Sequence, residues 1–152
     1  MMNYFDLTNL IPGLENGQWL HVVNAPLAPL ANTLVENGFA IFVIEGAEIT
    51  DRDSFFHHVK NTFGFPDYFG NNWAAWNDCL SDFKQALQVK TAIIWKDADK
   101  TFLSDAKVFI QAAFDLYNLT LEAGHINNPR PCQVEFFLLG DNPGFKNALD
   151  LN

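Results

Sequence analysis

The strongest constraint on the fold is a regular alternation of short apolar runs with segments of helical periodicity. The apolar runs occupy residues 19–23, 39–44, 91–95 and 134–139. Apolar residues recur at helical spacing in residues 26–36, 50–63, 72–87 and 104–123. The run at residues 39–44 is nearly continuous in apolar residues, which is typical of a parallel strand covered on both faces. The alternation therefore predicts an α/β domain, with a small, mostly parallel sheet of three to four strands packed with about four helices and joined by right-handed crossovers.

Length and composition fit one globular domain that needs neither a disulfide nor a metal to fold. The 152 residues are 49% apolar and 18% charged, and a chain of this size buries most of the surface that its unfolded form exposes. The two cysteines, Cys79 and Cys132, lie within apolar periodic segments and lack metal-ligand spacing. They are expected to be reduced, buried thiols, with a disulfide between them left open as the alternative.

The charge balance favours some classes of partner over others. Eighteen acidic against nine basic side chains give a net charge of −9, which repels nucleic acid and attracts a basic protein. The simpler interpretation is that the acidity only keeps the chain in solution. The sequence has no apolar stretch of bilayer length and no signal-peptide pattern at its N-terminus, so we expect a cytoplasmic protein without membrane contact.

The segment between residues 65 and 83 carries the candidate functional residues. One side of its predicted helix is apolar and anchors it on the sheet, through Trp73, Trp76, Leu80 and Phe83. The opposite side is small and polar, with one central carboxylate, and consists of Ala74, Asn77, Asp78 and Ser81. Such a flat face with a central acid suits docking against a concave, positively charged site. An ordinary solvated helix face is the alternative interpretation.

The loop before this helix adds aromatic residues and a turn. Tyr68 and Phe69 are expected to stand beside the polar face. Gly70 is expected to adopt a positive φ, and Asn71 or Asn72 to accept hydrogen bonds from the first free amides of the helix. Together with the polar face, these loop residues form one predicted contact surface.

The run from Phe65 to Asp82 resembles the signature of the barstar family, which are small intracellular inhibitors of secreted ribonucleases. The run is long and continuous, which makes it far more specific than a three-residue motif. The resemblance extends from about residue 39 to residue 139. It implies a single barstar-like domain over 1–152, with an N-terminal strand-helix addition (1–38), a family core (39–140) and a polar tail (141–152).

The resemblance also implies roles for individual residues. Asp78 matches the acid that enters the phosphate pocket of the nuclease, and Tyr68 matches the aromatic residue that packs on a catalytic histidine. Gly70 matches the backbone turn and Ser81 a hydroxyl contact. A second contact acid belongs at the start of the long helix, where Asp105 is the nearest candidate.

Two positions of the predicted helix depart from the family pattern. Position 74 is Ala where the family often has Asp, and position 77 is Asn where the best-known member has Trp. Each change is expected to weaken a nuclease contact or to shift specificity. The partner is therefore expected to differ from the best-known nuclease.

We expect the chain to inhibit a basic ribonuclease or a nuclease toxin domain, as a monomer without cofactor or metal. The first alternative is an interaction module with the same fold and a non-nuclease partner, suggested by Ala74. The second is an enzyme in which Cys79 is the nucleophile and a histidine the base. It is disfavoured because no set of nucleophile, base and orienting residue can be assembled from the sequence.

Overall fold

The computed structural model describes residues 4–11, 13–14 and 18–147, and for Lys146 and Asn147 only the backbone. The strands are β1 Leu20–Asn24, β2 Ala40–Glu45, β3 Lys90–Lys96, β4 Gln133–Leu139 and β5 Lys146–Asn147. The helices are α1 Leu27–Glu36, α2 Arg52–Phe63, α3 Trp73–Gln85, α4 Ala98–Ser104 and α5 Ala106–Ala123. Short 3-10 turns lie at Leu7–Asn9 and Gly46–Glu48.

The strands form one sheet in the order β2-β3-β4-β1-β5. Every pair is parallel, with Ile41 opposite Ala92 and Ile93 opposite Phe136 in the centre of the sheet. The predicted α/β class and mostly parallel sheet are confirmed.

The two faces of the sheet are covered by different elements. Because side chains alternate along a strand, Phe136 of β4 points to one face and Phe137 to the other. The face of Phe136, which we call the aromatic face, packs against α2, α3 and α5. The face of Phe137, which we call the N-terminal face, packs against α1 and against residues 4–11 and 13–14.

The N-terminal residues are part of the sheet. β1 lies between β4 and β5, with Leu20 opposite Phe136. The side chain of Gln133 holds the opening segment in place, since it accepts a hydrogen bond from the amide of Phe5 at 2.7 Å and donates one to its carbonyl at 2.8 Å. The segment predicted to be an addition thus extends the sheet and covers one of its faces.

The structure corrects two details of the predicted element order. The segment after β3 forms a separate short helix, α4, because Thr101 within it donates a hydrogen bond to the carbonyl of Gly46 and accepts one from Trp95. The predicted polar tail contains β5, whose residue Lys146 pairs with Val23. Residues 1–3, 12, 15–17 and 148–152, which include the end of that tail, lie outside the described part of the chain.

Candidate protein-binding surface

The turn that starts α3 is built by two asparagines. Asn72 adopts an extended conformation and its side chain accepts a hydrogen bond from the amide of Ala75 at 2.8 Å, which caps the helix. Asn71 takes the left-handed conformation, with φ of 51°, which asparagine tolerates better than most residues. The prediction of a positive φ at Gly70 was therefore wrong, and the turn falls one residue later. The predicted capping role of an asparagine is confirmed for Asn72.

Buried aromatic side chains fix the rotation of α3. Trp76 is fully buried, and its ring lies 5.2 Å from Phe55 and 6.1 Å from Phe65, measured between centroids. Its indole Nε1 donates a hydrogen bond to Asp115 of α5 at 2.9 Å. A large ring held by packing on one side and by a hydrogen bond on the other has one allowed position. The orientation of α3, and hence of its outer face, follows from this ring.

The outer face of α3 is open to solvent, as the sequence predicted. Ala74, Asn77, Asp78 and Ser81 are all exposed. Asp78 takes part in none of the ion pairs found in the described part of the chain. The described part of the opening segment packs on the opposite side of the sheet and leaves this helix uncovered. The carboxylate of Asp78 is thus available to a partner's cations.

Of the two loop aromatic residues that were predicted to lie on the surface, one is exposed and the other is buried. Tyr68 is 82% exposed and projects beside the polar face. Phe69 is buried, with its ring 5.1 Å from Phe65 and 6.0 Å from Phe56. The prediction that Phe69 stands beside the polar face was wrong, because its ring packs into the core against Phe56 and Phe65.

The candidate surface lies within a segment that matches a known protein family. Residues 39–133 match the family described as Barstar (barnase inhibitor). The chain belongs to the barstar family. The match covers more than half of the sequence and includes the loop and all of α3. A search of curated proteins found no match to the chain.

The long helix α5 of this barstar-family chain carries two acids near the candidate surface. Asp105 lies at the start of the helix, as the sequence indicated, and caps it by accepting a hydrogen bond from the amide of Val108 at 3.2 Å. Asp115, in the middle of α5, binds Trp76 of α3 and Gln111. The role of Asp105 as second contact acid stays a prediction, and Asp115 is a carboxylate beside α3 that the sequence analysis did not single out.

A polar groove runs between α3 and α5 beside the exposed face. The side chains that line it come from both helices and include Asn77, Ser81, Lys84, Asp115, Asn118 and Glu122. Lys84 of α3 pairs with Glu122 of α5 at 2.6 Å across one end. The sequence analysis missed the α5 side of this groove, although Asp115, Asn118 and Glu122 recur at i, i+3 and i+7 and so share one side of the helix.

The surroundings of Cys79 do not favour nucleophilic chemistry. Burial raises the pKa of this thiol, and the neighbouring carboxylates of Asp82 and Asp78 raise it further, which favours the unreactive thiol form. His58 is engaged elsewhere, since its Nε2 accepts a hydrogen bond from the amide of Glu45. Cys132 is also a buried, free thiol.

Metal-binding clusters and membrane-spanning helices are both absent from the part of the chain that the structure describes. That part contains no cluster of three or more His, Cys, Asp or Glu side chains able to hold a metal ion. None of its helices combines the length and the apolar character needed to cross a membrane.

Proposed function

We propose that the chain inhibits a basic ribonuclease by inserting the outer face of α3 into the nuclease active site. The observation that carries the proposal is the exposed carboxylate of Asp78, which forms no ion pair with any described residue and stands on a helix whose rotation is fixed by Trp76. A ribonuclease active site holds a phosphate among cationic side chains. A rigidly held carboxylate can occupy that phosphate position and accept charge-assisted hydrogen bonds.

The surroundings of Asp78 support a docking role. Tyr68 projects beside the helix face and offers a large, rigid side chain of the type enriched in interface hot spots. Gly70, Asn71, Ala74, Asn77 and Ser81 complete a flat surface that a partner can approach closely. Asp115 adds a carboxylate in the adjoining groove, and we propose that it contacts the partner's cations together with Asp78, with Asp105 kept as a further candidate contact.

The net charge of −9 supports rapid encounter with a basic partner. Complementary charge raises association rates well above the value for neutral proteins, and added salt reduces this gain. We therefore expect the association rate to fall steeply with ionic strength and the dissociation rate to change little.

The test is inhibition of RNA cleavage by small basic ribonucleases, with barnase among them, measured together with calorimetric affinity. Asp78→Asn is expected to weaken binding by about 2–5 kcal/mol, or roughly 30-fold or more, because the partner's buried cations lose their counter-charge. Glu36→Gln is the matched control, since it removes one negative charge from an exposed site on α1. Equal affinities for the Asp78 variant and the control would mean that Asp78 is not part of the binding surface.

A barstar-fold interaction module with a non-nuclease partner is the second candidate. It is favoured by Ala74, an exposed small side chain where the family often carries an acid. Affinity capture from the native cell separates the two candidates when the captured protein is assayed for RNA cleavage. The inhibitor proposal fails if the wild-type chain inhibits none of the ribonucleases and its captured partner has no nuclease activity.

A further inference from the structure

An apolar stripe runs along the outer surface of α5, away from the core. Ile110, Phe114 and Leu121 are spaced by four and seven residues, so they lie on one side of the helix. Ile110, Phe114 and Leu121 are exposed to 59%, 61% and 41%. The buried residues of α5, such as Val108, Ala112 and Leu116, occupy the opposite side.

The stripe is a continuous apolar surface, which isolated exposed apolar residues do not form. It extends over about 17 Å of helix at 1.5 Å per residue, and the exposed side chains of Phe102 and Leu103 lie just before its N-terminal end. Contiguous exposed apolar surface of several hundred Å² usually marks an interaction site. No element in the described part of the chain covers these side chains.

The charges beside the stripe indicate what covers it. Lys107 lies near the start of α5 and Glu122 near its end, and helical spacing puts both on the same flank of the stripe. Phe114 lies midway between them along the helix. A two-fold axis at Phe114 would pack two α5 helices antiparallel and bring Lys107 of each copy to Glu122 of the other. Such self-complementarity is what a two-fold interface requires.

We infer that the α5 stripe is a self-association surface and that its occupant is α5 of a second copy of this chain. Lys107 is exposed and forms none of the ion pairs in the described part of the chain. Glu122 pairs with Lys84 through Oε2, and its side chain is 61% exposed, so Oε1 remains open to the second copy. Ala106 and Ala113, beside the stripe, are small enough for the two helices to approach closely.

The size of the surface sets the strength of the dimer. The stripe and its flanks would bury roughly 500 Å² per copy, or about 1,000 Å² in total, which lies at the lower end of specific interfaces. The charge of −9 on each copy opposes association at low salt. We therefore expect a weak, reversible dimer, half formed at tens to hundreds of micromolar and strengthened by added salt.

Sedimentation equilibrium of the whole chain without any nuclease tests the inference independently of the proposed inhibitory function. Phe114→Glu is expected to raise the dimer dissociation constant at least tenfold. Val35→Glu is the matched control, since Val35 is 58% exposed on α1, on the other side of the sheet, and is expected to leave the constant within twofold of wild type. A wild-type chain that stays monomeric up to about 1 mM, or a Phe114→Glu variant that dimerises normally, would overturn the inference.

A charge exchange tests the antiparallel arrangement without disturbing the apolar stripe. Lys107→Glu alone should weaken the dimer, because it places two carboxylates at each contact. Adding Glu122→Lys restores opposite charges and should return the dissociation constant to within about threefold of wild type. A double variant that is no tighter than the single one would contradict the two-fold axis at Phe114. Both sites are exposed. Because Glu122→Lys also removes the ion pair with Lys84, urea denaturation of the double variant is measured beside its dissociation constant.

Discussion

Two carboxylates on opposite sides of the sheet are in contrasting environments. Asp78, on the aromatic face, is carried outward on α3 and has no ion-pair partner in the described part of the chain. Glu135, on the N-terminal face, is fully buried and its Oε1 lies 3.1 Å from Nε2 of His21. Burial raises the pKa of Glu135, and the hydrogen bond from His21 only partly opposes this effect. One acid is available for binding, whereas the other affects only the stability of the fold.

The two carboxylates differ because the two faces of the sheet are covered with different kinds of side chain. The aromatic face fills its interior with rings, and Asp115, which binds Trp76, lies at the edge of that interior. The N-terminal face instead encloses polar side chains, Gln133 and Glu135, beneath the opening segment. An interior made of rings holds α3 rigidly without burying charge. The other face stabilises a covering segment with hydrogen bonds, and one oxygen of Glu135 has no hydrogen-bond partner among the described residues.

The largest expected effect concerns the aromatic face. Trp76→Ala removes a fully buried ring and its hydrogen bond to Asp115, so we expect a loss of about 3–5 kcal/mol in the free energy of unfolding. Trp76→Phe keeps most of the volume and should cost clearly less. Urea denaturation followed by circular dichroism measures both. A loss below about 1 kcal/mol in the alanine variant would mean that this ring does not hold α3.

A smaller effect, dependent on pH, is expected on the N-terminal face. Because the pKa of Glu135 is raised in the folded chain, its contribution to stability is complete below the unfolded pKa and is lost as pH rises through the folded value. Glu135→Gln removes this titration. Between pH 4.5 and pH 8 we expect the wild type to lose about 1 kcal/mol more than the variant, from the cost of a buried carboxylate with an unpartnered oxygen.

The control for this pH experiment lies on the same face of the sheet. Glu36→Gln changes an exposed carboxyl at the end of α1, so its free energy of unfolding at pH 8 should stay within about 0.5 kcal/mol of wild type. His21, Asp6 and Tyr4 are the other titratable groups near Glu135, and they are present in all three proteins. Parallel pH profiles for the wild type and Glu135→Gln would show that Glu135 titrates alike in the folded and unfolded chains.

The contrast between the aromatic face and the N-terminal face also shows which parts of the structure could be predicted from the sequence. The course of α3 was predictable because its signals are local, namely a capping asparagine and apolar residues at helical spacing from Trp76 to Leu80. The burial of Phe69 was not, because a loop residue has no periodicity and its position depends on contacts with Phe56 on another helix. Helix α4 was missed for a related reason, since its start is charged and its fixed position depends on Gly46, far away in sequence.

The sequence contains a pattern that indicates the polar residues of the N-terminal face, and the sequence analysis did not use it. Gln133 and Glu135 are two residues apart at the start of an apolar strand, so both point to the same face. Two buried polar side chains on one face indicate a covering segment that supplies hydrogen-bond partners. His21 and the backbone of Phe5 supply those partners. Which segments meet them depends on pairing between β1 and β4, which are more than one hundred residues apart.

The smallest effect on stability is expected for Asp78, and it distinguishes this carboxylate most directly from Glu135. Asp78→Asn changes an exposed side chain without an ion pair in the described part of the chain, so the free energy of unfolding should stay within about 0.5 kcal/mol of wild type. Urea denaturation at pH 7, run beside Glu135→Gln, makes the measurement. A change above about 1 kcal/mol would mean that the fold itself uses Asp78. An unchanged stability together with nuclease binding weakened far beyond that of the Glu36→Gln control would mean that this carboxylate serves the partner and not the fold, because the control accounts for the loss of one negative charge.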